Sequence, residues 1–470
     1  MIFQKFEDID LSNFPVIIFG SGPAGITTAL ELENKKISSI IIEAGNERYN
    51  QDSQDFYKGK IIGDQLTDLS QSRLRQLGGT SGHWGGWCKP MENYNLENWP
   101  IKKKDLDKYN NQTCLILDIK NKFNKSKLND YFNQIEFQYS KIRFAEKYKQ
   151  YIQRSKNIHL VLNCQLSHFE SENNTVTNAV CITNSLIKKI KSKYFVLACG
   201  GIENSRILLW TREKNKKLIS NNLPVGEYWM NHPWIISGVG AIEKKKLRKK
   251  LSNNFLNYDG PLHFASTNKL IKEKKILSAG IYMNAKEDTK FYKEVIKDIL
   301  CVAPEYGKKI SKSVFKKDLK CGNIFMHLEE PANKSNKIIL DSNAKDKFEI
   351  PRVKLFYKKS KESLLTAKKF LEEFANLCRK EDLGRIAIKE NIYNLNSFEN
   401  MGSYHHLGGT RIGTNKLSSV VDENLKVHEV NNLFISGSSI FLTGGYTNPT
   451  YSIVQLSLRL ANKIANQINT

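Results

Sequence analysis

The sequence predicts an α/β protein organised around a parallel sheet, and three stretches of its 470 residues predict it. Near the N-terminus an apolar run feeds a glycine loop, a helix and a second apolar run that ends on an acid. A denser glycine box follows between Gly78 and Gly86. Near the C-terminus the run Leu433-Phe434-Ile435 leads into Ser436-Gly437-Ser438-Ser439, and Asn448-Pro449 opens a long helix. Short apolar runs bounded by glycine and alternating with helical stretches are the pattern of a sheet covered by helices on both faces.

The first element is Phe14-Pro15-Val16-Ile17-Ile18-Phe19, apolar throughout and therefore read as a buried parallel strand. It runs into Gly20-Ser21-Gly22-Pro23-Ala24-Gly25, followed by a helix over 24–34 and a strand over 38–42 that ends at Glu43. Glu43 lies 23 positions after Gly20 (43 − 20). This strand–turn–helix–strand–acid unit binds a dinucleotide. Gly20, Gly22 and Gly25 allow a tight turn and close approach of a pyrophosphate, the helix N-terminus attracts the phosphates, and Glu43 takes ribose hydroxyls. The motif alone does not separate NAD from FAD.

The second element packs five glycines around His83 and Trp84 in Gly78-Gly79-Thr80-Ser81-Gly82-His83-Trp84-Gly85-Gly86. Such density is costly in chain entropy, so the backbone must approach a ligand or another segment closely. A glycine-rich loop under a packed tryptophan reads the same way.

The third element begins at Ser403-Tyr404-His405-His406-Leu407-Gly408-Gly409-Thr410 and continues through the Gly-Ser-Ser strand end to Gly444-Gly445-Tyr446-Thr447-Asn448-Pro449-Thr450. Asn448 is a good cap and Pro449 suits the first helical position. The helix, expected to run to about Asn466, carries Ile453, Val454, Leu456, Leu458 and Leu460 on its core side. Its positive end would face whatever sits above Asn448. A candidate base, a polar side chain and a helix dipole thus converge, which is the outline of an active site.

Composition bounds the rest. An apolar fraction of 40% with 10% aromatics fits a globular protein of one large or two interleaved domains. No run of about 18 apolar residues predicts a membrane span. The polar stretch Met1 to Asn13, with the first strand starting at Phe14, leaves no room for a secretory signal, so a cytoplasmic location is expected. Cys88, Cys114, Cys164, Cys181, Cys199, Cys301, Cys321 and Cys378 have neither metal-ligand nor redox spacing. Reduced, buried thiols and no metal site are therefore expected. The net charge of +24 is spread over lysine runs at 102–104, 188–193 and 244–250. Without aromatic-basic interleaving it reads as a solvated surface, or as a weak contact with an anionic membrane or an acidic partner, and gives no case for nucleic-acid binding.

Together these boxes resemble the glucose–methanol–choline (GMC) family of FAD-dependent oxidoreductases. The resemblance also rests on Trp99-Pro100-Ile101 with Asp105-Leu106 and Tyr109, on the stretch from Val196 to Leu209, on Asn231-His232-Pro233, on Glu330-Pro331 to Asp341 and on Ile350 to Leu355. His406-Leu407-Gly408-Gly409-Thr410 and Asn448-Pro449-Thr450 are most similar to the pyranose oxidase and sugar dehydrogenase branch. Residues 110–150 and 240–320 lack the resemblance.

The resemblance implies a Rossmann-type FAD-binding domain assembled from 1–149, 150–235 and 400–470. A substrate domain on an antiparallel sheet, with helices over one face, takes 236–399. It implies FAD contacts at Gly79, Thr80, His83, Trp84, Gly437, Ser438, Asn448 and Pro449, besides Gly20, Gly22, Gly25 and Glu43. His83 matches the place where some members bond a histidine covalently to the flavin; the other reading is a histidine packed beside the ring. His406 matches the catalytic base, with the side chain of His405 expected to point away. Asn448 matches the second catalytic position, where it would orient the substrate oxygen. Glu203 to Arg206 would lie under the dinucleotide, Cys199 would pack rather than react, and His232 and Asp422 would either support the site from behind its contact residues or be structural, with no part in the chemistry. The implied reaction oxidises a hydroxyl of a sugar, glycoside or polyol to a carbonyl, with hydride passing to flavin N5. The electrons then go to oxygen, a quinone or a carrier protein. The alternatives are a non-sugar alcohol substrate in a biosynthetic pathway, or a flavin-binding scaffold without catalysis.

Overall fold

In a computed structural model, residues 1–3, 14–183, 185–251, 261–283, 285–286, 299, 303, 305–306, 309, 322–398 and 404–469 are described. Ser403, Cys301, Cys321 and most of Met1 to Asn13 lie outside the described residues.

The apolar runs at both ends of the chain meet in one six-stranded parallel sheet. Its order is Ile2–Phe3, Ile158–Val161, Ser39–Ile42, Val16–Phe19, Tyr194–Leu197 and Leu433–Ile435. Its central members are buried on both faces, as their uninterrupted apolar sequences require. Register aligns Phe19 with both Ile42 and Leu197, and Leu197 with Ile435. The carboxyl ends of four strands therefore stop level. The loops at Gly20, Glu43, Ala198 to Gly200 and Ser436 to Ser438 all emerge along one edge. The strand order reverses beside Val16–Phe19, which opens a crevice there. The helices Pro23–Asn34 and Thr450–Asn469 pack together over the sheet through a core that includes Ile26, Ala29, Val454 and Leu458.

The second large sheet is mainly antiparallel. Its order is Ala285–Lys286, Trp234–Glu243, Gly322–Leu328, Ala279–Met283, Leu262–Ser266, Phe132–Ile135 and Lys125–Lys127, with Gly384–Ile388 also paired to Trp234–Glu243. The amphipathic helix Lys361–Lys380, capped by Ser360, covers one face. Its Ala367, Phe370, Leu371 and Phe374 pack on Ile235, Phe264, Ile281, Ile324 and Met326. Side chains alternate along a strand. The opposite face therefore carries Trp234, His263, Tyr282, Phe325 and His327. The edge strand at 125–127 and its neighbour at 132–135 come from a stretch that the sequence assigns to the nucleotide half.

Smaller antiparallel elements complete the fold. Gln165–Glu172, Thr175–Thr183 and Leu186–Ile190 form a meander, while Lys337–Lys345 pairs with Pro351–Tyr357, which also takes up Gly59–Gly63 in parallel. Among the described residues, no helix is long and apolar enough to cross a membrane, and no group of three or more His, Cys, Asp or Glu is arranged to hold a metal. Six described cysteines are free thiols, all buried except the half-buried Cys199.

Candidate active site

A cavity of about 560 Å³ runs from the level edge of the parallel sheet to the aromatic face of the antiparallel sheet. At one end it is lined by Gly20, Gly22, Glu43, Gly79, Thr80 and Gly200. At the other it reaches Trp234, Tyr282, His327, His405, His406 and Asn448.

The dinucleotide end is built by backbone. Gly20 has φ +101, and a Cβ there would lie 2.5 Å from the Ala198 oxygen. A Cβ on Gly25 would lie 1.9 Å from the Gly20 oxygen. These two glycines close the turn. Gly22 differs, because a Cβ there would meet nothing within 4 Å. The open space above it continues into the cavity. The helix Pro23–Asn34 starts at this point with no side-chain cap and no acid in its first turn. Its first amides and its dipole are thus free for an anion. Glu43 accepts from Ser21 N at 2.9 Å and Ser21 Oγ at 2.7 Å through Oε2, and from Gly45 N at 2.8 Å through Oε1. It therefore fixes the loop; both lone pairs of Oε2 are engaged, and Oε1 keeps one for a ribose. The residues present fit a dinucleotide.

Buried ion pairs hold the floor. Arg73 Nη1 lies 2.7 Å from Glu203 Oε1, Arg206 Nη1 lies 3.2 Å from Glu203 Oε2, and Arg206 Nη2 lies 2.6 Å from Asp346 Oδ2. The arginines hold the Glu203 carboxyl below its ordinary pKa against strong desolvation. Burial pushes the Cys199 thiol far up, so it stays protonated, as a packing residue would.

At the other end, the Gly-Ser-Ser turn and the histidine segment are stitched together. Ser438 Oγ donates to the His406 carbonyl at 2.6 Å, and Gly408 N donates to the Ser438 carbonyl at 3.1 Å. Gly437 sits at φ +114 beside Ala24. Trp84 Nε1 donates to the Ile142 carbonyl at 2.8 Å. His83 lines the cavity with its ring stacked on Tyr404 at 5.9 Å. Pro449 and Thr450 also line it, so the N-terminus of the helix Thr450–Asn469 opens onto the same space.

Two expectations need correction. Asn448 does not cap that helix. Its Nδ2 donates to the Trp87 carbonyl at 3.2 Å, across to the second glycine box, and its Oδ1 has no partner among the described residues. Nor is the side chain of His405 turned away, because His405 and His406 both line the cavity. His406 Nε2 lies 2.9 Å from Ser72 Oγ, its ring packs 5.7 Å from that of Trp229, and its Nδ1 is buried without a partner. Burial, helped by Arg73, lowers its pKa to about 3. His405 Nδ1 lies 2.9 Å from His232 Nδ1. Burial and the neighbouring His232, His327 and His406 hold its pKa well below the usual imidazole value.

The wall of the antiparallel sheet is the part sequence reasoning missed. Strand pairing sets Trp234 opposite His327 and Tyr282 opposite both Phe325 and His263. The rings of Tyr282 and Phe325 stack at 4.7 Å, those of Trp234 and Phe325 at 5.4 Å, and Tyr282 lies 5.8 Å from His327. The available signal was the alternation Phe325-Met326-His327-Leu328, which puts the aromatic and polar members on one face.

Comparison with known proteins agrees with this architecture. Residues 332–457 match the family model of GMC oxidoreductases. The chain is 24% identical over 295 residues to the fructose dehydrogenase large subunit of Gluconobacter japonicus, covering 60% of this chain and 48% of that protein. It is 23% identical over 286 residues to 2-methyl-1,2-propanediol dehydrogenase of Mycolicibacterium austroafricanum, covering 60% and 49%. The chain thus spans about half the length of these curated relatives. In fold it is similar to pyridoxine 4-oxidase from Mesorbium loti, with a TM-score of 0.60, 12% identity and coverage of 96% of this chain and 99% of that one. It is also similar to Aspergillus oryzae RIB40 formate oxidase, with a TM-score of 0.58, 14% identity and coverage of 98% and 99%.

Proposed function

We propose, from the premise that this chain is a GMC oxidoreductase, that it is an FAD-dependent enzyme oxidising a hydroxyl group of a sugar, glycoside or polyol to a carbonyl. The nucleotide half is a Rossmann-type domain drawn from 1–149, 150–235 and 400–470, and residues 236–399 supply the substrate half, joined by the strands Lys125–Lys127 and Phe132–Ile135. Bound FAD supplies a hydride acceptor at N5. Gly20, Gly22 and Gly25 admit the pyrophosphate, Glu43 takes the ribose, and Gly79, Thr80, Trp84, Gly437, Ser438 and Pro449 surround the ring. His83 is either the point of covalent attachment to the flavin or a histidine packed beside its ring. One histidine of the 405–406 pair removes the hydroxyl proton, His406 by the sequence match. Asn448 orients the substrate oxygen with its amide, supporting that histidine.

The single observation that carries this reading is the continuity of the cavity, from the open space over Gly22 to the two histidines and Asn448. The kinship with a fructose dehydrogenase large subunit supports a sugar. The stacked wall of Trp234, Phe325 and Tyr282 favours a second reading, a ring-bearing non-sugar alcohol. The reduced cofactor would pass its electrons to oxygen, a quinone or a carrier protein.

An anaerobic screen of flavin bleaching with sugars, glycosides, polyols and simple or aromatic alcohols decides. Bleaching by sugars or polyols is expected. Bleaching by ring-bearing alcohols alone moves the assignment to the second reading. A yellow protein that no alcohol bleaches sinks both and leaves a flavin-binding scaffold.

A further inference from the structure

We propose that Tyr446 and Glu92 are positioning residues that hold Asn448 in place for the reaction proposed above, on which this inference rests. The loop Thr443 to Asn448 lies between the turn Ser438–Ile440 and the helix Thr450–Asn469 and belongs to neither. It contains Gly444 and Gly445, the latter at φ +62. A backbone this permissive does not fix its own path, so side-chain anchors must.

One segment, residues 87–99, anchors the loop at Thr443, Tyr446 and Asn448. Thr443 Oγ1 donates to the Asn95 carbonyl at 2.6 Å and accepts from Trp99 Nε1 at 2.9 Å. The Tyr446 hydroxyl donates to Glu92 Oε1 at 2.9 Å. Asn448 Nδ2 donates to the Trp87 carbonyl at 3.2 Å. The loop runs from 443 to 448 while its partners run from 99 back to 87, so the two segments lie antiparallel. The Trp87 carbonyl can only accept, which fixes the end of the Asn448 amide that faces it. Trp87 and Asn448 both line the cavity.

Tyr446 is the firmest of these anchors, because its hydroxyl meets a carboxylate and such bonds are about twice as strong as neutral ones. Glu92 is itself pinned. Lys89 Nζ lies 3.3 Å from its Oε1, and Lys125 Nζ lies 2.9 Å from its Oε2. Burial would raise the pKa of this carboxyl, but the two lysines overcome it and hold the value down at about 2. Lys125 belongs to the edge strand of the antiparallel sheet. The ring of Tyr446 is seated in the same sheet. It packs with Ile135, Phe137 and Ala265, and a Cβ on Gly280 would lie 2.9 Å from its Cδ2. Gly280 stands two residues before Tyr282 of the aromatic wall. Tyr446 therefore ties the loop that carries Asn448 to the sheet that carries the wall, and sets the gap between them. The ring alone would fill the core; the hydroxyl and its carboxylate fix where the loop goes next.

The test is a double-variant cycle on anaerobic flavin reduction of the FAD-loaded protein, using the sugar or alcohol that bleaches it fastest in the screen above. Tyr446→Phe keeps the ring and removes only the hydroxyl. It should slow reduction by ~10–100-fold at an unchanged substrate dissociation constant, the scale of a misplaced orienting group. Glu92→Leu should do the same, and Glu92→Gln, whose amide oxygen still accepts, should recover most of that loss. Added to Asn448→Ala, Tyr446→Phe should slow reduction by less than about twofold more, because the group it positions is gone. Losses that multiply independently overturn the proposal, as does a Tyr446→Phe rate within about twofold of the unmodified protein. If Tyr446→Phe does not fold, Glu92→Leu and Glu92→Gln complete the same cycle. A second readout needs no substrate. In crystals of the FAD-loaded protein, Tyr446→Phe should release Asn448 from the Trp87 carbonyl. An unmoved Asn448 overturns the proposal even where no alcohol reduces the unmodified protein, a result that by itself sinks the reaction instead.

Discussion

Gly22 and Gly25 share one loop yet answer to different constraints. Gly25 is fixed by the fold, since its Cβ would collide with the Gly20 carbonyl at 1.9 Å. Gly25→Ala should destabilise the chain by on the order of 3 kcal/mol in urea unfolding, as overpacked backbone contacts do. Gly22 faces open space. Gly22→Ala should leave the melting temperature of the cofactor-free protein within about 2 °C while weakening FAD binding by roughly tenfold or more, measured by flavin fluorescence titration. Equal loss of stability in both variants would refute the distinction. The spacing of the loop made both glycines legible in the sequence, because local geometry dictates them. The choice between His405 and His406 was not legible. Their surroundings come from tertiary packing: His405 meets His232 at 2.9 Å and His406 meets Ser72 at 2.9 Å, and both partners lie far away along the chain.

Among the elements, the helix Gly200–Lys214 depends on charges that other segments supply. Its Glu203 and Arg206 are buried, and their partners Arg73 and Asp346 come from a loop and from the end of a strand. Breaking such a pair leaves an uncompensated buried charge. Glu203→Ala should cost about 3–5 kcal/mol in unfolding experiments, whereas breaking an exposed pair such as Lys58–Asp55 should change stability far less. A loss under 1 kcal/mol for Glu203→Ala would show that the network adds little. The strands of the parallel sheet were readable because burial on both faces leaves an unbroken apolar run. The edge strand Lys125–Lys127 was not, since its exposed-buried-exposed Lys-Ser-Lys carries no apolar signal and is recruited by pairing with Phe132–Ile135.

For the whole molecule, the balance of buried acids and imidazoles sets the pH range of stability. Burial raises Glu329 and Glu330 to about 7. Their unfolded counterparts ionise near pH 4.5 and bind fewer protons than the folded state above that point. Stability therefore falls as pH rises from about 4.5 to 7, by up to ~3 kcal/mol for each carboxyl. Burial has the opposite consequence at His263, whose pKa falls to about 3. There the unfolded ring takes a proton first, and stability falls as pH drops below about 6.5. Glu329→Gln should flatten the first slope and His263→Phe the second, both read from unfolding midpoints against pH. Parallel shifts of the whole curve, with unchanged slopes, would remove these groups as the cause. The purified protein should also be yellow, and acid precipitation should leave flavin in the pellet if His83 is bonded to it. A colourless pellet would make the attachment non-covalent. The overall architecture was legible because several boxes lie in one order along the chain. The aromatic wall was not, because it exists only when the strands of Trp234, Tyr282 and His327 come into register.

The level edge of the parallel sheet also constrains how the chain is made. Its outermost strand, Leu433–Ile435, pairs with Tyr194–Leu197 across more than two hundred intervening residues. During synthesis the earlier strands can assemble long before that partner leaves the ribosome. Until then Tyr194–Leu197 presents an unpaired apolar edge, and both histidines and Asn448 are still to come. The nascent chain is thus exposed to edge-to-edge association through most of its translation. Cofactor capture is a late event that completes folding, and flavin supply should raise the yield of soluble protein more than it raises the stability of the finished one.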